Sequence, residues 1–287
     1  MEGFVLNILN GLSWGMLLFL ISVGLTTIFG VMGILNFAHG SFYMLGAYLC
    51  FEIFRKTNSY WIGFFVSPIC VGIIGFIIEK TLLNKIYSRD IIFQLLLTFA
   101  ILLILDDSVR FIWGPGYHVI NPPEILSGSV KIFSHEYPVY RIFLIILGPI
   151  VAFILWSFFH LTKFGKIIRA VAQDREMAEG IGLNAPLIFS LVFAFGCWLA
   201  GIGGALATPI ESITPSMGEK IIIESFIVVV IGGMGSFPGA FIGALLLGLV
   251  ESFGTNLIGE IQMAIPYLLL AIVLLVKPTG IFGKKLT

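Results

Sequence analysis

The chain has 287 residues, 58% of them hydrophobic and 11% charged, against about a quarter charged in an ordinary soluble domain. Sixteen Lys and Arg balance sixteen Asp and Glu, so no net charge points to nucleic acid, and Cys50, Cys70 and Cys197 lack the spacing of a zinc site or a disulfide framework. A soluble enzyme, a DNA-binder and a secreted mini-domain are excluded, which leaves an all-α, polytopic integral membrane protein.

A bilayer-crossing helix needs about 20 mostly apolar residues. Runs of that kind cover residues 8–29, 33–54, 60–83, 91–113, 140–161, 186–208 and 237–253. Two more, 221–231 and 263–276, are short for full spans. The expectation is about eight to nine transmembrane helices, some short or broken, in one transmembrane domain over residues 1–287. Residues 1–10 carry neither a basic n-region nor a small-residue cleavage site, so the first run is read as a span and not as a removable signal peptide.

Orientation follows from Lys and Arg in the connecting loops. With nine crossings and the 162–185 loop inside, Lys80, Lys85, Arg89, Lys163, Lys166, Arg169, Arg175, Lys277, Lys284 and Lys285 lie on the inner side. Arg55, Lys56, Arg110, Lys131, Arg141 and Lys220 lie on the outer side. Ten against six places the C-terminus in the cytoplasm of a multi-pass protein of the cell's cytoplasmic membrane. The loop 114–139, with Pro115, Pro122, Pro123 and Pro138, is then an irregular extracytoplasmic segment, and 162–185 is the long polar cytoplasmic loop.

A short internal echo links Phe29-Gly-Val-Met-Gly33 to Ile231-Gly-Gly-Met-Gly235, each followed by a glycine-containing apolar run. Transporters are often built from repeats with glycine-interrupted segments near the substrate path. Chance coincidence in a chain with 33 glycines is the competing reading.

Asn36, His39 and Tyr43 fall at i, i+3 and i+7, so a helix would place them on one face. Polar groups at hydrocarbon depth face a bundle interior or a watered cavity. These three therefore line or support a translocation path, or else they bond between helices as packing glue. Gly235, Gly239 and Gly243 are spaced by four, as are Gly196, Ala200 and Gly204. Small residues at that spacing let helix backbones approach closely, so both sets are read as packing faces. Pro238 beside the glycines suggests a broken or re-entrant start to that helix.

In the cytoplasmic loop, Ile167, Ile168, Val171 and Ala172 form an apolar stripe at helical spacing among Lys166, Arg169, Gln173, Asp174, Arg175 and Glu176, with Gly180 and Gly182 as a helix stop. Such a helix lies on a membrane surface or docks in a partner's groove. Its mixed charge favours docking. Glu52, Glu79, Asp106, Asp107 and Glu251 stand near span ends and most are read as interfacial, whereas Glu224 sits inside a short apolar run. No GxxxxGK[ST], HExxH or GxSxG occurs, so a P-loop and an enzymatic role are not expected of the chain itself.

Four motifs in order carry a resemblance: GLTTIFGVMGILNFAHGSFYMLGAY at 24–48, GKIIRAVAQDREMAEGIGLN at 165–184, GGMGSFPGAFIGALLLG at 232–248 and VKPTGIFG at 276–283. With them the chain resembles the permease subunits of ATP-binding-cassette importers for branched-chain amino acids, close to relatives that carry urea or short amides. The resemblance implies alternating access driven by two separate ATPase subunits, which hold the ATP and Mg; this chain has no cofactor or metal of its own. It also implies a second related permease and an extracytoplasmic solute-binding protein on the side of loop 114–139, all around a chain embedded in membrane lipid. The 165–184 segment would be the coupling helix, with Arg169, Gln173, Asp174, Glu176 and Gly182 as coupling residues, and Asn36, His39, Tyr43 and Glu224 would flank the substrate pathway. Relatives commonly have a Lys before the GGxGS motif, where this chain carries Glu224, which opens the substrate class. An ion-coupled secondary transporter using Glu224 or His39 is the alternative from another class.

Overall fold

The computed structural model describes residues 2–87, 89–257 and 264–283. In chain order the helices are α1 (Glu2–Met32), α2 (His39–Thr57), α3 (Tyr60–Thr81), α4 (Ile91–Trp113), α5 (Val139–Leu161), α6 (Lys163–Gln173), α7 (Arg175–Gly180), α8 (Ala185–Ala207), α9 (Met217–Gly232), α10 (Phe237–Leu257) and α11 (Ile265–Val276). Each of the nine expected runs corresponds to one of them, and α6 and α7 fall in the polar 162–185 loop. Six, α1, α3, α4, α5, α8 and α10, are long and apolar enough to cross a membrane. α2 has 19 residues but carries Glu52, Arg55 and Lys56 in its second half, and α9 and α11 run short. At about 1.5 Å per residue, α9 spans about 24 Å and α11 about 18 Å, against a hydrocarbon core of about 30 Å.

Several expectations are corrected. The 33–54 run is not one helix: α1 ends where Gly33 takes a left-handed φ of 69°, residues 33–38 are non-helical, and α2 begins only at His39. Glycine has no Cβ to clash in that conformation. The 221–231 run extends to Met217–Gly232, while Met263, Lys284 and Lys285 lie outside the described residues. Loop 114–139 is not wholly irregular. Its strands β1 (Ser129–Ile132) and β2 (His135–Pro138) pair antiparallel through a tight turn at Phe133–Ser134. His118 adds a backbone bridge to Ile213 in the α8–α9 connection.

α1 is the centre of the bundle, with residues 15–28 almost entirely buried against α5, α8, α9 and α10. Its interior position follows from being apolar all round, which only a helix surrounded by others can satisfy. α2 packs between α3, α8 and α9. Lipid tails are as apolar as leucine, so close backbone approach and van der Waals contact must hold such helices together. The glycines supply that approach. A Cβ built on Gly40 of α2 would lie 2.1 Å from the Gly218 carbonyl of α9, and one on Gly24 of α1 would lie 2.7 Å from the Gly196 carbonyl of α8. A Cβ built on Gly204 would lie 2.0 Å from the Tyr43 carbonyl of α2, and Ala200 one turn earlier is fully buried. Gly239 and Gly243 face α9 at Gly232 and Val228, Gly248 faces Gly11 and Gly15 of α1, and Gly235 precedes α10 against Gly30. The two echo segments thus touch at Gly30 and Gly235, each beside a helix that ends on a left-handed glycine, Gly33 or Gly233.

The ends of the bundle are fixed by a tyrosine pair. The Tyr60 and Tyr140 hydroxyls, at the starts of α3 and α5, are 2.8 Å apart, and Tyr140 donates to the Leu206 carbonyl at the end of α8. The β-hairpin therefore sits at that end. α5 runs 23 residues to the opposite end, where α6 and α7 follow directly.

Gly40→Ala is expected to force α2 and α9 apart and to cost about 1–3 kcal/mol of stability, read by thermal unfolding in mild detergent. Gly116→Ala has open space around its Cβ and is expected to stay within about 0.5 kcal/mol of the parent.

Candidate functional site

The four residues expected along a pathway divide into two pairs. Asn36 lies in the non-helical 33–38 segment, so it does not share a helix face with His39 and Tyr43. It is fully buried, and neither atom of its amide has a partner among the described residues. His39 is also fully buried; its Nε2 donates to the Ile21 carbonyl of α1 at 2.9 Å, and its ring lies against Gly24. That geometry is a bond between helices.

Tyr43 and Glu224 instead converge on a charged cluster. Tyr43 is buried and donates to Glu211 at 3.2 Å. Lys220 Nζ lies 3.8 Å from Glu211 and 3.8 Å from Glu224, its neighbour one turn along α9. The same ammonium sits 5.3 Å over the Trp14 ring, and the Trp14 indole donates to Glu251 at 2.7 Å. Glu224 is 7% exposed, and its Oε2 has no partner among the described residues. Three carboxylates thus surround one ammonium. The Lys220 side chain is 65% exposed, so the ammonium remains accessible.

Two cavities adjoin this cluster and share Lys220 and Glu251. One, of about 420 Å³, is polar, with Asn10, Ser13, Trp14, Arg141 and Glu211 among its walls; Arg141 donates to Asn10 there at 2.6 Å. The other, of about 380 Å³, brings Glu224 next to Ile223, Ile227, Pro266 and Tyr267. Arg141 opens α5, so the polar cavity lies at the hairpin end of the bundle.

Lys220, expected in an outer loop, and Glu251, expected near an interface, both belong to this cluster, and no local sequence pattern marks Glu211 or Trp14. The Lys220–Glu224 spacing of four, a pair on one helical face, was the available signal. Glu79 and Asp106 are also buried, not interfacial: Glu79 accepts from the Tyr87 hydroxyl, and Asp106 accepts from Ser41 at 2.8 Å.

At the opposite end, the expected amphipathic helix is two helices. They break at Asp174, whose backbone is extended and whose side chain caps α7 by accepting from the Met177 N–H at 2.9 Å. The apolar stripe does not face outward. Ile168 and Val171, with Ala178 of α7, are buried against Ala185, Ile188, Phe189 and Val192 of α8, and Ile167 packs beside them; Ala172 is exposed. The exposed surface carries Arg169, Gln173, Asp174, Glu176 and Gly182, together with Met177 and Ile181, 69% and 73% exposed. Gly182, at φ 91°, closes α7, its N–H donating to the Glu179 carbonyl and that of Leu183 to Ala178.

A bundle of this kind, with six helices long and apolar enough to cross a membrane, is that of a polytopic helical membrane protein. Residues 7–276 match the family described as branched-chain amino acid transport system / permease component, and the chain belongs to that family. It is 29% identical to the high-affinity branched-chain amino acid transport system permease protein LivH of Salmonella typhimurium, over 98% of this chain and 96% of the relative. It is also 29% identical to the corresponding protein BraD of Pseudomonas aeruginosa, over 97% and 95%, and to a probable branched-chain amino acid transport permease protein LivH of Methanocaldococcus jannaschii, over 94% and 90%. No solved structure matches.

His39→Ala is expected to remove the bond to the Ile21 carbonyl and cost about 1–3 kcal/mol of stability. Thermal unfolding in detergent checks this, and an unchanged midpoint would remove His39 from the α1–α2 contact.

Proposed function

We propose that this permease is the membrane subunit of an ATP-driven importer of the ATP-binding-cassette class and provides the translocation path for branched-chain or related amino acids. The observation that carries the reading is the family match over residues 7–276, supported by relatives named as branched-chain amino acid permeases over nearly their whole length. The sequence has no P-loop of its own, so ATP and Mg belong on two separate ATPase subunits. A second related permease and an extracytoplasmic solute-binding protein complete the assembly.

In this reading α6 and α7 face the cytoplasm and the ATPases, and the C-terminus is cytoplasmic. The exposed face with Arg169, Gln173, Glu176, Met177 and Ile181 is the coupling surface. The buried stripe of Ile168, Val171 and Ala178 anchors it to α8, so a push on the exposed face is delivered to a helix that packs on α1, α2 and α3. Nucleotide drives the cycle only through its different affinity for the two states of the assembly. The hairpin end with residues 114–139 is the extracytoplasmic side, where a binding protein delivers its ligand. Tyr43 and Glu224 border the pathway from that side, and Asn36 lies buried behind it beside His39, which bonds α2 to α1.

Purification from native membranes in mild detergent, with mass spectrometry of what travels with the chain, tests the assembly. P-loop ATPases and a related permease are expected, and leucine uptake by the reconstituted complex should require ATP. A chain recovered alone and active under an ion gradient would overturn the reading in favour of a secondary transporter.

The coupling surface has its own test. Asp174 caps α7, and losing such a cap costs about 1 kcal/mol, so it is left in place. Gln173→Ala with Glu176→Ala is expected to lower ATP-driven uptake several-fold while the detergent-stable fold persists. Normal coupled uptake in the double variant would count against α6–α7 as the docking element.

A further inference from the structure

We infer that the two joined cavities around Lys220 form a transit site for a zwitterionic α-amino acid with an aliphatic side chain. The inference rests on the amino-acid importer reading and assigns the residues that would hold the substrate inside the permease. Three observations combine. The cluster places Glu211, Glu224 and Glu251 around the single ammonium of Lys220, so a further cation is electrostatically welcome there. Glu224 is more than nine-tenths buried, lines the second cavity and keeps one carboxylate oxygen unpartnered among the described residues. A buried acceptor without a donor is costly, and a ligand donor relieves that cost.

The second cavity is two-faced. Glu224, Glu251 and Lys220 form its charged side, and Ile223, Ile227 and Tyr267 form its apolar side. An α-amino acid has the matching layout. Its ammonium lies against the Glu224 and Glu251 carboxylates, its carboxylate takes the exposed ammonium of Lys220, and its aliphatic group lies along Ile223 and Ile227. The polar cavity, at the hairpin end, is the approach, where Arg141 supplies a second cation for the carboxylate. Weak, divided holding of this kind suits passage, because a transit site must release what it admits. A neutral amide such as urea has neither charge for this arrangement, so the site favours amino acids over the amide carried by related permeases.

The test uses the complete importer, with its ATPases and binding protein, in proteoliposomes supplied with radiolabelled leucine. Uptake by the parent complex checks the importer reading by itself. Against that rate, Glu224→Gln and Lys220→Gln are each expected to lower uptake about tenfold, with ATP hydrolysis stimulated by the loaded binding protein kept near the parent level. Glu224→Asp, which retains the charge, should transport better than Glu224→Gln. Removing one member of a buried pair can unfold a protein by stranding its partner, so the double variant K220Q/E224Q is measured as well. A purely structural pair recovers when both charges go, whereas a transit site stays slow. Parent-like uptake in Glu224→Gln or in the double variant would overturn the proposal, as would failure of all these variants to assemble. No amino-acid uptake by the parent would overturn the importer reading and this inference together.

Discussion

The approach of one helix backbone to another at glycine is the constraint on which the rest of this molecule depends. A hydrocarbon solvent gives apolar helices no reason to leave it for each other, so contact must come from dispersion at short range. Gly40 against Gly218, Gly24 against Gly196 and Gly248 against Gly11 and Gly15 bring α2, α8, α9 and α10 to one another or to α1 at distances that a single methyl group would prevent. These contacts fix where two helices begin. α2 starts at His39, bonded to the Ile21 carbonyl deep within α1, and α9 starts beside Gly40. Both short helices are set at depth by close packing, and their polar first turns come with them.

That placement makes the charged cluster possible. Tyr43 lies in the second turn of α2, Lys220 and Glu224 lie in the first half of α9, and Glu211 stands in the connection leading to it. Trp14 of α1 and Glu251 of α10 close the group from the other side. Charges in a low-polarity environment are tolerated when they pair or face water, and the adjoining cavities give this group both. Its position at the hairpin end, with α6 and α7 at the far end of α5, separates the charged cavities from the exposed face of the helix pair. The two are joined by α8. Its first turns receive the apolar stripe of α6, and its later glycines clasp α1 and α2.

The echo between residues 29–33 and 231–235 gains a physical content from this arrangement. Each segment ends a helix on a left-handed glycine, and the two touch at Gly30 and Gly235. Meeting glycines allow two helix ends to cross within one layer, so the contact itself accounts for the similar composition.

Much of the fold was legible in the sequence because hydrophobic length alone specifies a membrane-buried helix, and all nine runs reappear as helices. The helix stop at Gly182 and the small-residue spacing were legible for the same reason: each is a local rule about backbone conformation or size. The residue set of the charged cluster was not legible. Lys220, Glu211, Glu251 and Trp14 come from four separate segments, and no local pattern links a tryptophan at 14 to a glutamate at 251. The inward turn of the α6 stripe was equally hidden, since amphipathicity states that a face is buried and leaves open what buries it. Asn36 shows the same limit, because Gly33 ended the helix that the i, i+3, i+7 spacing assumed. Sequence by itself determined that this chain crosses a membrane many times and which motifs mark its family, because composition and local spacing act residue by residue. Tertiary structure alone decided which polar groups share a cavity and which face of α6–α7 is exposed, because those depend on distances between segments far apart in the chain.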